Sequence, residues 1–93
     1  MTTRVLIVDD DRAIRVLIKA FLESENSFEV VGEAASAPQA LEVAGDVMPD
    51  LVTMDYQMPG GGDGAECIRE MKQRWPDVCI LALTSSGEGP GAA

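Results

Sequence analysis

Five side chains that follow three short apolar runs carry the chemistry this chain can offer. Asp9 and Asp10 follow Val5-Leu6-Ile7-Val8, Asp55 follows Leu51-Val52-Thr53-Met54, and Thr84 and Ser85 follow Ile80-Leu81-Ala82-Leu83. Carboxylates gathered within a few ångströms repel one another and are poorly solvated, and a divalent cation relieves both costs. Oxygen donors of this kind favour Mg2+, which keeps several waters and commonly meets a phosphate group. A phosphoryl group needs its anionic oxygens neutralised while a nucleophile attacks in line. A carboxylate can be that nucleophile, forming an acyl phosphate. On this reading Asp55 is the nucleophile and also faces the metal. Asp10 binds Mg2+ directly, Asp9 binds through water, and the backbone carbonyl of Gln57 completes the shell. The Thr84 hydroxyl donates to a phosphoryl oxygen.

Each residue alone has a plainer reading. Asp11 is a helix cap or surface acid, Asp9-Asp10 a turn, and Thr84 and Ser85 loop residues. The joint case rests on acids recurring at equivalent ends of separate strand–helix units. Other sites are disfavoured. The glycine run Gly60 to Gly64 lacks the G-x-x-x-x-G-K-[ST] pattern of a P-loop, and no G-x-G-x-x-G follows the first strand. With no histidine and no ligand spacing between Cys67 and Cys79, a zinc site is excluded, and both cysteines are expected to be buried thiols. Trp75 reads as packing. Arg4, Arg69, Lys72 and Arg74 are too scattered to form a basic surface.

The elements that must position these residues alternate. Arg4 to Val8 is almost wholly apolar and suits a parallel strand covered on both faces. Ile14, Leu17, Ile18, Phe21 and Leu22 then recur at helical spacing, with Asp11 as N-cap, Arg12, Arg15 and Lys19 on the wet side, and a stop near Asn26-Ser27. Phe28 to Ala34 reads as a second strand at a sheet edge. Ser36 caps a helix with Pro38 in its first turn, packs Ala37, Ala40, Leu41 and Ala44 inward, and ends at Gly45. Pro49 to Met54 is the third strand and delivers Asp55. Asp63 opens a helix whose Cys67, Ile68, Met71 and Trp75 follow the helical period until Pro76. Val78 to Leu83 is the fourth strand. Four strands and three helices in alternation predict an open parallel α/β sheet with right-handed crossovers. Three helices cannot cover both faces of four strands, so one flank beside the fourth strand is expected to be bare.

Length and composition agree with one small domain: 93 residues, 46% hydrophobic, Asp plus Glu exceeding Lys plus Arg by 16 to 7, and a formal net charge of -9. That charge argues against direct binding of nucleic acid or an anionic membrane. Without a long apolar run or a signal-peptide pattern, a cytoplasmic address is expected. Residues 1–86 are expected to form the domain and 87–93 a flexible glycine-rich tail.

The stretches VLIVDDDRAIRVLI, FEVVGEAASAPQALE, PDLVTMDYQMP, DGAECIREMKQRWPDV and ILALTS span residues 4 to 85. They resemble the receiver domain of two-component response regulators, in particular the subgroup that precedes a LuxR-like helix-turn-helix output domain of transcription regulators. The resemblance implies a flavodoxin-like sheet with strand order 2-1-3-4, shortened here after the fourth strand. It implies that Asp55 takes a phosphoryl group from a sensor histidine kinase. Asp9 and Asp10 match the acidic Mg2+ pair, Gln57 the carbonyl ligand, and Thr84 the switch hydroxyl. Two departures stand out. Three glycines, Gly60 to Gly62, separate Met58-Pro59 from Asp63-Gly64 where the family has two residues. The family's fourth helix, fifth strand with its lysine and switch aromatic, and fifth helix have no match in these residues.

A second function class is a receiver-like interaction module that forms a homodimer or exchanges strands through its bare flank, or is covered there by a partner. A third, an aspartate-based phosphohydrolase, would need a general acid and cap elements for which the chain has little material.

Overall fold

A computed structural model describes residues 2–55 and 64–83. Its elements run β1 (Thr3–Val8), α1 (Arg12–Glu23), β2 (Phe28–Ala34), α2 (Ala37–Val47), β3 (Leu51–Asp55), α3 (Gly64–Arg74) and β4 (Cys79–Leu83). The four strands are parallel and ordered β2-β1-β3-β4, the order the resemblance implies; the almost wholly apolar β1 is central and the more polar β2 lies at an edge, as their composition predicts. This is the flavodoxin-like open sheet expected from the sequence.

Successive strand residues point to opposite faces. Leu6, Val8, Val52 and Met54 pack with the alanines of α2 and with Cys67 and Met71 of α3. Val5 and Ile7 face the other way, against Leu22 and Ile18 of α1. At the start of the strands Asp50 acts as a common fastener. Its N–H donates to the Arg4 carbonyl (2.9 Å), its carboxylate accepts from the Arg4 N–H (3.0 Å), and its carbonyl accepts from the Cys79 N–H (3.0 Å). Three strands thus begin level.

Both caps read from the sequence form. The Asp11 carboxylate accepts from the Ala13 N–H, and the Ser36 hydroxyl from the Gln39 N–H. Three expectations are corrected. α2 does not end at Gly45 but continues to Val47, and Met48 terminates it in the left-handed region at φ 49°. Pro49 explains the stop, because the residue before proline is driven out of the right-handed helical region. In α1, Leu17 and Phe21 do not join the core: they are 65% and 69% exposed. The helix packs on β2 and β1, so the sheet meets only the stripe through Ile14, Ile18 and Leu22. Cys79 is exposed while Cys67 is buried. Ile80 packs against the α2/α3 side, so Cys79 and Leu81 point to the α1 side, where Leu81 is 51% exposed. Among the described residues, no strand pairs with the outer edge of β4 and Leu81 is exposed there, as expected of a bare flank.

The glycine loop and the start proposed for the third helix at Asp63 lie outside the described residues, as does the tail from residue 87.

Leu6→Ala is expected to lower the unfolding free energy in urea by about 3 kcal/mol, as removal of a fully buried leucine does. Phe21→Ser should change it by less than about 0.5 kcal/mol, since its ring is largely wet. Similar losses at the two positions would contradict this division of the core.

Candidate functional site

Strand register builds the site. Val5 pairs with Leu51 and Val8 with Met54, so one further step along each strand sets Asp9 abreast of Asp55. The carboxylates of Asp9, Asp10 and Asp55 each offer an oxygen, and these lie within 4.8 Å of one another. Asp9 and Asp55 are 4% and 3% exposed, whereas Asp10 faces solvent. The sequence-based expectation that two separate strands bring three acids into one pocket is therefore met. On the far side of β3, Leu83 pairs with Asp55. Gln57 and Thr84 lie outside the described residues.

Asp9 is held at every polar atom of its backbone. Its N–H donates to the Ala34 carbonyl of β2 at 3.0 Å, and its own carbonyl accepts from Arg15 Nη1 at 2.5 Å. Its carboxylate Oδ1 accepts from the Asp11 N–H at 2.8 Å. Asp11 is thus the cap the sequence suggested and also a clamp on its neighbour. Arg15 is the residue that sequence reasoning missed. Helical periodicity assigned it only to the wet side of α1, and nothing in its spacing announced a link to Asp9.

The Asp9 carboxyl is pushed above the ordinary range, chiefly by burial. The Asp11 N–H opposes that shift, while the charges of Asp55, Asp10 and Asp11 reinforce it. A pocket that raises the energy of an ionised acid in this way is relieved by a cation. The donor set fits Mg2+: hard oxygens only, two buried and one open to solvent, spaced for a small ion with direct contacts of about 2.0–2.1 Å that keeps part of its water shell. A separate cavity of about 320 Å³, lined by Met48, Met71 and Trp75, lies beside the strand starts, at the opposite end of the sheet from the acids.

An open parallel α/β sheet with acids at the carboxyl ends of its central strands carries its polar site where such sheets bind ligands. The chain belongs to the response regulator receiver domain family, whose model matches residues 5–92. It is 40% identical over 85 residues to the response regulator protein VraR of Staphylococcus aureus, a match covering 91% of this chain and 40% of that protein. The chain therefore spans less than half the length of that relative. Among solved structures, the response regulator domain of Thermotoga maritima CheB is 31% identical with a TM-score of 0.86, covering 97% of this chain and 66% of that one. The isolated receiver domain of RcsB from Salmonella enterica serovar Typhimurium is 27% identical with a TM-score of 0.86, covering 98% and 67% respectively. Among the described residues no helix is long and apolar enough to cross a membrane.

The raised Asp9 pKa fixes the sign of a pH effect. At neutral pH the folded state bears the cost of an ionised Asp9 that the unfolded chain does not. The cost fades as pH falls through the folded value and is absent below the unfolded 3.8. In chelator, Asp9→Asn is expected to be more stable than the native chain near pH 7, with the advantage vanishing on acidification below 3.8. Urea unfolding at both pH values checks it; an asparagine variant that is less stable near pH 7 contradicts it.

Proposed function

We propose that Asp55 accepts a phosphoryl group from a sensor histidine kinase in a Mg2+-dependent step. The observation that carries this reading is the convergence of three carboxylates within 4.8 Å at the ends of β1 and β3. A carboxylate oxygen of Asp55 attacks the phosphorus and forms the new P–O bond. The donor's bond to phosphorus breaks, its electron pair stays with the departing histidine nitrogen, and the product on this chain is an acyl phosphate. Asp10, open to solvent, would hold the metal directly, Asp9 would hold it through water, and the Gln57 carbonyl would be the further ligand. Mg2+, when bound, supplies neutralisation of the phosphoryl oxygens. The Thr84 hydroxyl donates to one of those oxygens. The similar RcsB receiver domain was solved in the presence of the phosphomimetic BeF3-, which supports a role for a phosphoryl group here. Coupling to a transcriptional output domain belongs to the same proposal.

Incubation with a small-molecule phosphodonor and Mg2+ should add one phosphoryl group, read by intact mass. Asp55→Asn should abolish it, and chelation of the metal should suppress it. Labelling that persists in the Asp55→Asn chain would reject the assignment.

A second reading is favoured by the flank of β4. Leu81 is a large apolar side chain left exposed on β4, a strand whose outer edge has no neighbour among the described strands. Association with a second copy or a partner covers it. Light scattering over a wide concentration range should then show a dimer that Leu81→Lys reduces to monomer. A native chain that stays monomeric throughout contradicts this reading and leaves the first intact.

A further inference from the structure

We propose that Arg15 and Glu33 are positioning residues for the acidic pair, acting through the one peptide group that joins Asp9 to Asp10. This rests on the reading that the acids hold Mg2+. β1 ends at Val8, so the Asp9 carbonyl lies beyond the paired residues of the strand, in a residue that is 4% exposed. A buried carbonyl without a donor is unfavourable. Arg15 Nη1 is the donor at 2.5 Å. The same guanidinium gives its Nε–H to Glu33 Oε1 of β2 at 3.2 Å. The second Glu33 oxygen faces Lys19 Nζ at a looser 3.9 Å. A planar fork with two fixed donors thus spans from an edge strand to the end of the central one.

The geometry matters because the peptide plane between Asp9 and Asp10 is shared. Rotation of that plane changes ψ of Asp9 and φ of Asp10 together, and so re-aims the Asp10 carboxylate relative to Asp55. The Asp9 carboxylate and N–H have their own anchors in the Asp11 N–H and the Ala34 carbonyl. The Asp9 carbonyl is the remaining handle, and Arg15 holds it. Its action is therefore on orientation. Glu33, in turn, keeps the guanidinium from swinging into solvent. Lysine cannot replace Arg15, because one ammonium on a flexible stem does not reach both acceptors in fixed geometry.

The test measures Mg2+ affinity by calorimetry on the full chain, with the Asp10 amide resonance as a structural reporter. Arg15→Met and Arg15→Lys are each expected to weaken Mg2+ binding by about 10-fold or more, the usual effect of removing a partner behind a metal ligand. Glu33→Ala should weaken it in the same direction and move the Asp10 resonance. Glu33→Gln keeps an acceptor for Arg15 Nε and should stay within about twofold of native, the scatter of independent sites. Glu33→Ala made in the Arg15→Met background should add nothing. If Arg15→Met does not fold, the contrast between alanine and glutamine at the exposed edge strand decides the matter. Native binding with Arg15→Met and Glu33→Ala both inside about twofold overturns the relay alone. A native chain that binds no Mg2+ overturns the reading beneath it and the relay with it.

Discussion

Everything in this molecule answers to the electrostatic conflict among three neighbouring carboxylates. In water they would drift apart; here the backbone forbids it. β1 and β3 are hydrogen-bonded in register, and Asp50 ties their beginnings level, so two chains of equal rise deliver Asp9 and Asp55 side by side. The restoring force is the burial of Leu6, Val8, Val52 and Met54 against α2 and α3. Separating the acids would require sliding a close-packed strand past its neighbour, which exchanges core for solvent along its whole length. Charge repulsion is thus held at the end of the sheet, where a cation would relieve it.

Much of this was legible in the residues. β1 could be read as covered on both faces because it is almost wholly apolar, β2 as an edge because it is more polar, and β1 and β3 each lead into acid; the strand order that sets those acids side by side came with the family resemblance. Asp11 and Ser36 announced their caps by type and by spacing to the following helix. What stayed hidden has a common cause. Leu17, Phe21 and Cys79 were assigned inward on hydrophobicity alone, but periodicity reports that a face is apolar, not whether another element covers it. Gly45 was read as a helix stop because glycine commonly is one; the proline after Met48 overruled it. Arg15 was invisible because its partners, a backbone carbonyl and a side chain on β2, leave no pattern in sequence.

The two faces of the sheet differ in consequence. On the α2/α3 side a continuous core, including the alanines of α2, brings helix and strands close together and fixes the central strands. On the α1 side the helix lies over β2 and β1, Leu51 and Thr53 of β3 are still partly or fully covered, and among the described residues it is β4 that is left exposed at Leu81. The carboxylates sit where α1 meets the end of β1, so the covered half supports the site. The exposed strand is adjacent to Asp55 through the Asp55–Leu83 pairing. A change in what covers β4 therefore has a short route to Asp55.

The contrast between the two cysteines offers a practical reading of that route. Burial pushes the Cys67 thiol up to about 11, leaving it inert at neutral pH, while Cys79 is open on β4. The native chain thus carries its own single attachment point for a maleimide dye or spin label, on the strand bonded to the one that carries Asp55. Spectroscopy on an unmutated molecule can follow the edge of the sheet in real time while the far end meets its ligands.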